Sequence, residues 1–76
     1  MSRVLRQVKA RDLVRVATRL GFLFDHQEGS HAVYYRASDR RRAVIIMHGS
    51  RPLRIGTVRK TLQDLNITPE DFERLK

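Results

Sequence analysis

No cysteine occurs anywhere in this chain, and that absence narrows its possible folds more than any motif does. Many small domains close themselves with disulfides or a cysteine-ligated zinc, and neither route is open here. At 76 residues, the chain can bury roughly 60–65% of its unfolded surface, enough for one core of about a dozen apolar side chains. Residues 1–76 are therefore expected to form a single domain held by packing alone, and thiolate chemistry is excluded.

The longest uncharged run, Ala43 to Ser50, has eight residues, against the roughly 20 that a membrane-spanning helix needs. Met1 to Ala10 alternates apolar and basic residues without the apolar stretch of a signal peptide. The expectation is an untagged cytoplasmic protein with no membrane partner.

The formal charge is +8, dominated by thirteen arginines to three lysines. It is unevenly placed: residues 1–63 carry 14 basic and 4 acidic groups, and residues 64–76 carry 2 basic and 4 acidic groups. A basic body with an acidic tail attracts polyanions, and the guanidinium fork suits phosphate or carboxylate. Charge does not choose between nucleic acid and an acidic protein.

Leu13, Val16, Ala17 and Leu20 recur at helical spacing, with Arg11, Asp12, Arg15 and Arg19 on other faces, predicting a helix over about 10–20 that stops at Gly21. The apolar run Phe22-Leu23-Phe24 predicts a strand, with His26 in it or just after it. Glu28-Gly29-Ser30 predicts a turn, and His31 to Arg36 a second strand. Beyond Ser38-Asp39-Arg40, the β-branched run Ala43 to Met47 predicts a third strand, expected at the centre of an antiparallel meander.

Gly49 and Pro52 break that strand into a loop. Ile55, Val58, Leu62 and Leu65 then predict a second helix over about 56–65, with Asn66 as its C-cap. Thr68-Pro69-Glu70-Asp71 reads as the start of a short terminal helix that turns Phe72 and Leu75 inward. The fold class is α+β, in the order α-β-β-β-α plus a short helix, with two helices on one face of the sheet. The other face is left open, and Tyr34, Tyr35 and Arg36 cannot all point to the core. A tyrosine facing out offers a surface for stacking or phosphate contact.

Several residues can carry chemistry. His31, just after Gly29-Ser30, occupies an exposed turn where the backbone lets a ligand approach, and imidazole as a residue type titrates near neutrality. It is a candidate general base or an ordinary surface histidine. The three histidines lack HExxH or i, i+3/4 spacing, so no metal site is expected. Ser30 lacks a nucleophile-elbow context. Gly56-Thr57 with Arg59 and Lys60 is a candidate phosphate seat or simply a helix start, and Arg40-Arg41-Arg42 is a nucleic-acid contact or a solvated hairpin end.

Gly29-Ser30-His31 opening the second strand, Val44-Ile45-Ile46-Met47-His48 ending the third, and Leu53-Arg54-Ile55-Gly56-Thr57-Val58-Arg59-Lys60 opening a helix resemble the HicA family of toxin mRNA interferases, from bacterial and archaeal toxin–antitoxin pairs. The likeness runs from about Lys9 to Ile67, with 1–8 ahead of it as either a flexible leader or an extension of the RNA or antitoxin contact.

The resemblance implies a fold like a double-stranded-RNA-binding domain, ribonuclease activity and neutralisation by a HicB-type antitoxin. It places the family's catalytic histidine on His31. Our own expectation for the mechanism is that neutral His31 takes the proton from a ribose 2′-OH, which needs no metal or other cofactor. Gly29, Ser30, Arg36, Arg40, Arg41, Arg42, His48, Thr57, Arg59 and Lys60 are the expected RNA-binding residues around it. His48 or water is the general acid; where the family often has proline before this histidine, the chain has Met47. The alternatives are a non-catalytic RNA-binding module and a basic interaction protein for an acidic partner.

Overall fold

Lys9 starts the first helix by donating its backbone N–H to Asp12 Oδ2 at 2.9 Å, which satisfies one of the orphan donors of a helix start. From there the computed structural model, which describes residues 5–76, runs through α1 (Ala10–Arg19), β1 (Leu23–Glu28), β2 (His31–Arg36), β3 (Arg41–Ile46), α2 (Ile55–Leu65) and α3 (Pro69–Leu75). The strands form an antiparallel sheet in the order β1-β2-β3. This is the expected α-β-β-β-α fold of the double-stranded-RNA-binding-domain type, closed by a short third helix. Among the described residues, no helix is long and apolar enough to cross a membrane.

The sheet's two faces follow from alternation along the strands. Ala32, Tyr34, Ala43 and Ile45 are buried on one face, against a core that includes Leu13, Val16 and Ala17 of α1 and Val58, Leu62 and Leu65 of α2. The opposite face carries His31, Val33 and Tyr35 from β2, paired across the ladder with Ile46, Val44 and Arg42 of β3. Tyr34 is the inward tyrosine and Tyr35 the outward one. Burial raises the Tyr34 phenol above its ordinary pKa.

Two strand assignments are corrected. β3 is an edge strand, and β2 lies at the centre. The apolar density of β3 reflects α2, which lies along its outer edge: Thr61 Oγ1 donates to Val44 O at 2.9 Å, and Val44 N–H donates to Asp64 Oδ2 at 3.1 Å. A helix thus covers the edge that would otherwise be left unpaired. β1 begins at Leu23 and runs on through Asp25, His26 and Gln27 to Glu28, all exposed. Phe22 precedes it as a fully buried core residue. The polar half of β1 is strand because β2 pairs with it, with a bulge between Phe24 and His26.

The core also begins earlier than about residue 9. Leu5 and Val8 are buried, and the Leu53 N–H donates to Val8 O at 2.7 Å, tying 5–8 to the loop before α2. Residues 1–4, the rest of the stretch read as a leader or contact extension, lie outside the described residues. At the other end, Asn66 caps α2 in the left-handed region, and Thr68 opens α3 by accepting from the Asp71 N–H. Phe72 is buried.

Candidate active site

His31 is placed by a tight turn and by the end of the neighbouring strand. Gly29 holds φ at 58°, a conformation glycine adopts without strain. The Gln27 side chain donates to Gly29 O at 2.9 Å, and Met47 N–H donates to Ser30 O at 2.7 Å. Gly29 and Ser30 therefore act through their backbone, as a fixed mount. His31 emerges from it exposed, opposite Glu28 on one side and Ile46 on the other.

A groove of about 670 Å³ opens beside it. Its floor is His31, Val44 and Ile46 from the open sheet face, and its wall is the side of α2 that carries Gly56, Thr57, Lys60, Thr61 and Asp64, with Arg54 at the helix start. The first turn of α2 contains no acidic residue. Free backbone N–H groups, the positive end of the helix dipole, Arg54 and Lys60 thus share one wall, an arrangement that favours an anion. The one carboxylate on that wall, Asp64, is engaged with the Val44 N–H. Gly56 adds a bare stretch of backbone: a Cβ there would meet nothing within 4 Å.

His48 borders a second depression of about 590 Å³, whose lining shares Ile46, Arg54 and Thr57 with the first. Each histidine thus borders one of two depressions that meet at Ile46, Arg54 and Thr57. Arg51 lines the His48 side. Neither Arg51 nor Arg54 stood out in the sequence among so many arginines; the signal for Arg54 is its place immediately before an acid-free helix start.

The remaining expected site residues lie elsewhere. Arg36, Arg40, Arg41 and Arg42 sit at the far end of β2 and its hairpin, about 13 Å or more along the strand from His31 at the usual strand rise. Arg36 is committed to the fold. Its Nε and Nη2 donate to the two Asp39 carboxylate oxygens at 3.0 and 2.8 Å, its Nη1 donates to Leu20 O at 2.7 Å, and its guanidinium stacks 4.5 Å above Phe22. The Arg36 hydrogen bonds hold the Asp39 carboxyl below the usual range, and Asp39 in turn raises the guanidinium.

Arg41 Nη1 donates to Asp64 O at 3.2 Å. Arg40 is exposed in the turn, with φ at 56°. Arg42 is exposed on the open face beside Tyr35. Arg59 lies on another side of α2, lining the crevice toward α3 with Leu62 and Pro69. Among the described residues, no three His, Asp or Glu side chains gather as a metal-ligand set.

Comparison with curated proteins finds no match. A family model described as HicA toxin of bacterial toxin-antitoxin matches residues 10–67, a span that runs from the first residue of α1 past the end of α2 and contains the turn, the groove and its helical wall. That span covers most of the chain, and the protein belongs to the HicA family of toxins from bacterial toxin–antitoxin systems.

Proposed function

We propose that this toxin cleaves mRNA by transesterification, with His31 as general base. The observation that supports it best is the pairing of an exposed, rigidly mounted imidazole with a groove wall built from a helix N-terminus, Arg54 and Lys60. His31 takes the proton from a ribose 2′-OH. The 2′-oxygen attacks the adjacent phosphorus, the bond from phosphorus to the 5′-oxygen breaks, and that oxygen leaves with a proton from an acid. The products are a 2′,3′-cyclic phosphate and a 5′-OH end.

Arg54, Lys60 and the α2 N–H groups stabilise charge developing on the non-bridging oxygens. His48, from the adjoining depression, or water supplies the departing proton. A HicB-type antitoxin partner would neutralise the toxin by covering this basic groove, where complementary charge both attracts and orients it.

The test is purified protein with single-stranded RNA in excess chelator, wild type beside His31→Ala. Loss of the base should slow cleavage by about 100-fold or more while RNA binding persists. The wild-type products should carry cyclic phosphate ends, and a 2′-deoxy sugar at the scissile position should block the cut. Cleavage of the deoxy substrate, or full activity in His31→Ala, refutes the mechanism; a wild type that binds RNA and never cuts it is a binding module.

A further inference from the structure

The open sheet face extends well beyond the groove. Tyr35 lies four residues along β2 from His31, about 13 Å away at the usual strand rise. It is half-buried, paired with the exposed Leu23 of β1 on one side and the exposed Arg42 of β3 on the other. Leu23 is 70% and its neighbour Phe24 56% exposed, the two most exposed large apolar side chains among the described residues. A crevice of about 530 Å³ opens at this end of the sheet, walled by Leu23, Tyr35 and Ala37 and by Leu20, Gly21 and Arg36 beneath them, with Arg42 flanking Tyr35 just outside it. Between the crevice and His31 the same face carries the half-buried Val44 beside Val33, which its neighbours largely cover.

We infer that this crevice is a second RNA subsite, which takes an unpaired nucleobase removed from the scissile bond, stacked on Tyr35 beside Leu23. Arg42 holds the backbone phosphate next to that base. The inference deepens the RNA-cleavage reading and rests on it for the identity of the polymer.

Three observations favour RNA over a protein segment as the occupant. An aromatic side chain and an adjacent arginine on an exposed sheet face make a stacking platform with a phosphate contact. The stretch from residue 31 to 64, which supplies β2, β3 and the groove wall, carries eight basic side chains and two acidic ones, of which Asp39 is held by Arg36 and Asp64 accepts the Val44 N–H. Asp25, at the crevice rim, is paired with His26 Nδ1 at 2.6 Å. At about 13 Å along the strand from His31, the subsite is set for a base displaced from the scissile phosphate. A duplex cannot offer a splayed base, and the subsite makes the enzyme selective for single strands.

Fluorescence anisotropy in a His31→Ala background separates binding from cleavage. Tyr35→Leu should weaken binding of a single-stranded hexanucleotide about tenfold or more, the size expected for one lost base–aromatic stack, and weaken a dinucleotide far less. Tyr35→Phe should restore most of the affinity. Leu23→Ser, at a position too exposed to threaten the fold, should show the same length dependence more weakly.

Equal affinity of Tyr35→Leu and its parent for the hexanucleotide overturns the subsite. So does an equal loss on dinucleotide and hexanucleotide, an equal loss on duplex RNA, or a loss confined to binding of the antitoxin. A wild type that never cleaves but binds the hexanucleotide through Tyr35 refutes the cleavage reading and leaves the subsite standing. His31-dependent cleavage with indifference to Tyr35 does the reverse.

Discussion

Two side chains three residues apart hold α2 against the edge of β3, and both act on one residue. Thr61 is 1% exposed and donates its hydroxyl to Val44 O, while Asp64 accepts the Val44 N–H. Thr61→Val keeps the side chain's shape and deletes the donor. A net hydrogen bond is worth about 0.5–1.5 kcal/mol, and the cost rises toward about 2 kcal/mol because the Val44 carbonyl stays covered by the helix without a partner.

For a domain of this size each kcal/mol moves the melting temperature by about 4–8 °C, so a loss of about 1.5–2 kcal/mol should lower it by about 6–16 °C. Asp64→Ala should cost about 1–2 kcal/mol, since the bond is to a carboxylate but the site is half exposed. Asp64→Asn retains an amide oxygen for the Val44 N–H and should lose less. Because both bonds hold the same strand residue, the double variant should lose less than the sum of the singles. Urea unfolding followed by far-UV circular dichroism, with thermal melts alongside, measures all four. A Thr61→Val protein as stable as wild type would show that the edge seal contributes nothing, and strict additivity would show that the two bonds do not act as a unit.

Arg36→Lys should destabilise the protein by about 1–3 kcal/mol, because an ammonium cannot keep the two-oxygen grip on Asp39, the bond to Leu20 O and the stack on Phe22 together; unchanged urea midpoints would return Arg36 to the RNA-contacting set. Stability should also fall in acid. Asp39, hydrogen-bonded by Arg36, and Asp71, hydrogen-bonded by the Thr68 backbone N–H, both have folded-state pKa values below the ordinary one. Each contributes stability that is fully present above the unfolded value near pH 4 and is lost as pH falls through the lower folded value. Replacing both with asparagine should flatten the acid limb of a plot of urea midpoint against pH, and an unaltered limb would trace it to other groups.

Where local physics decides, the sequence was readable. The period of Leu13, Val16 and Ala17 fixes α1, and the turn residues on either side of His31 to Arg36 bound β2 where it is found. Asn66 and Thr68 announce their caps because each acts on its own backbone. The failures share a different cause. Asp25 to Glu28 carry no apolar pattern; His26, Gln27 and Glu28 are strand because a partner strand pairs with them, and Asp25 is the bulge that precedes them. The burial of β3 was read as centrality, when it comes from a helix that meets its edge. Thr61 sits among the inward apolar positions of α2, and nothing local says that its hydroxyl has a strand carbonyl to reach.

The arginines make the same point about function. Charge in the sequence treats Arg36 and Arg42 alike, yet they lie on opposite faces of adjacent strands. Arg36 shares the inward phase of Tyr34, so its guanidinium turns onto Phe22, Leu20 and Asp39 and serves as a structural tie. Arg42 shares the phase of Val44 and Ile46 and stays exposed beside Tyr35. Strand alternation therefore sorts the basic residues into those that hold the fold and those free to meet phosphate. The second set follows the open face from Arg42 past Val44 to Arg54 and Lys60 at the groove. On the RNA-cleavage reading proposed above, an extended strand lying along this track would contribute the length that a domain of this size lacks.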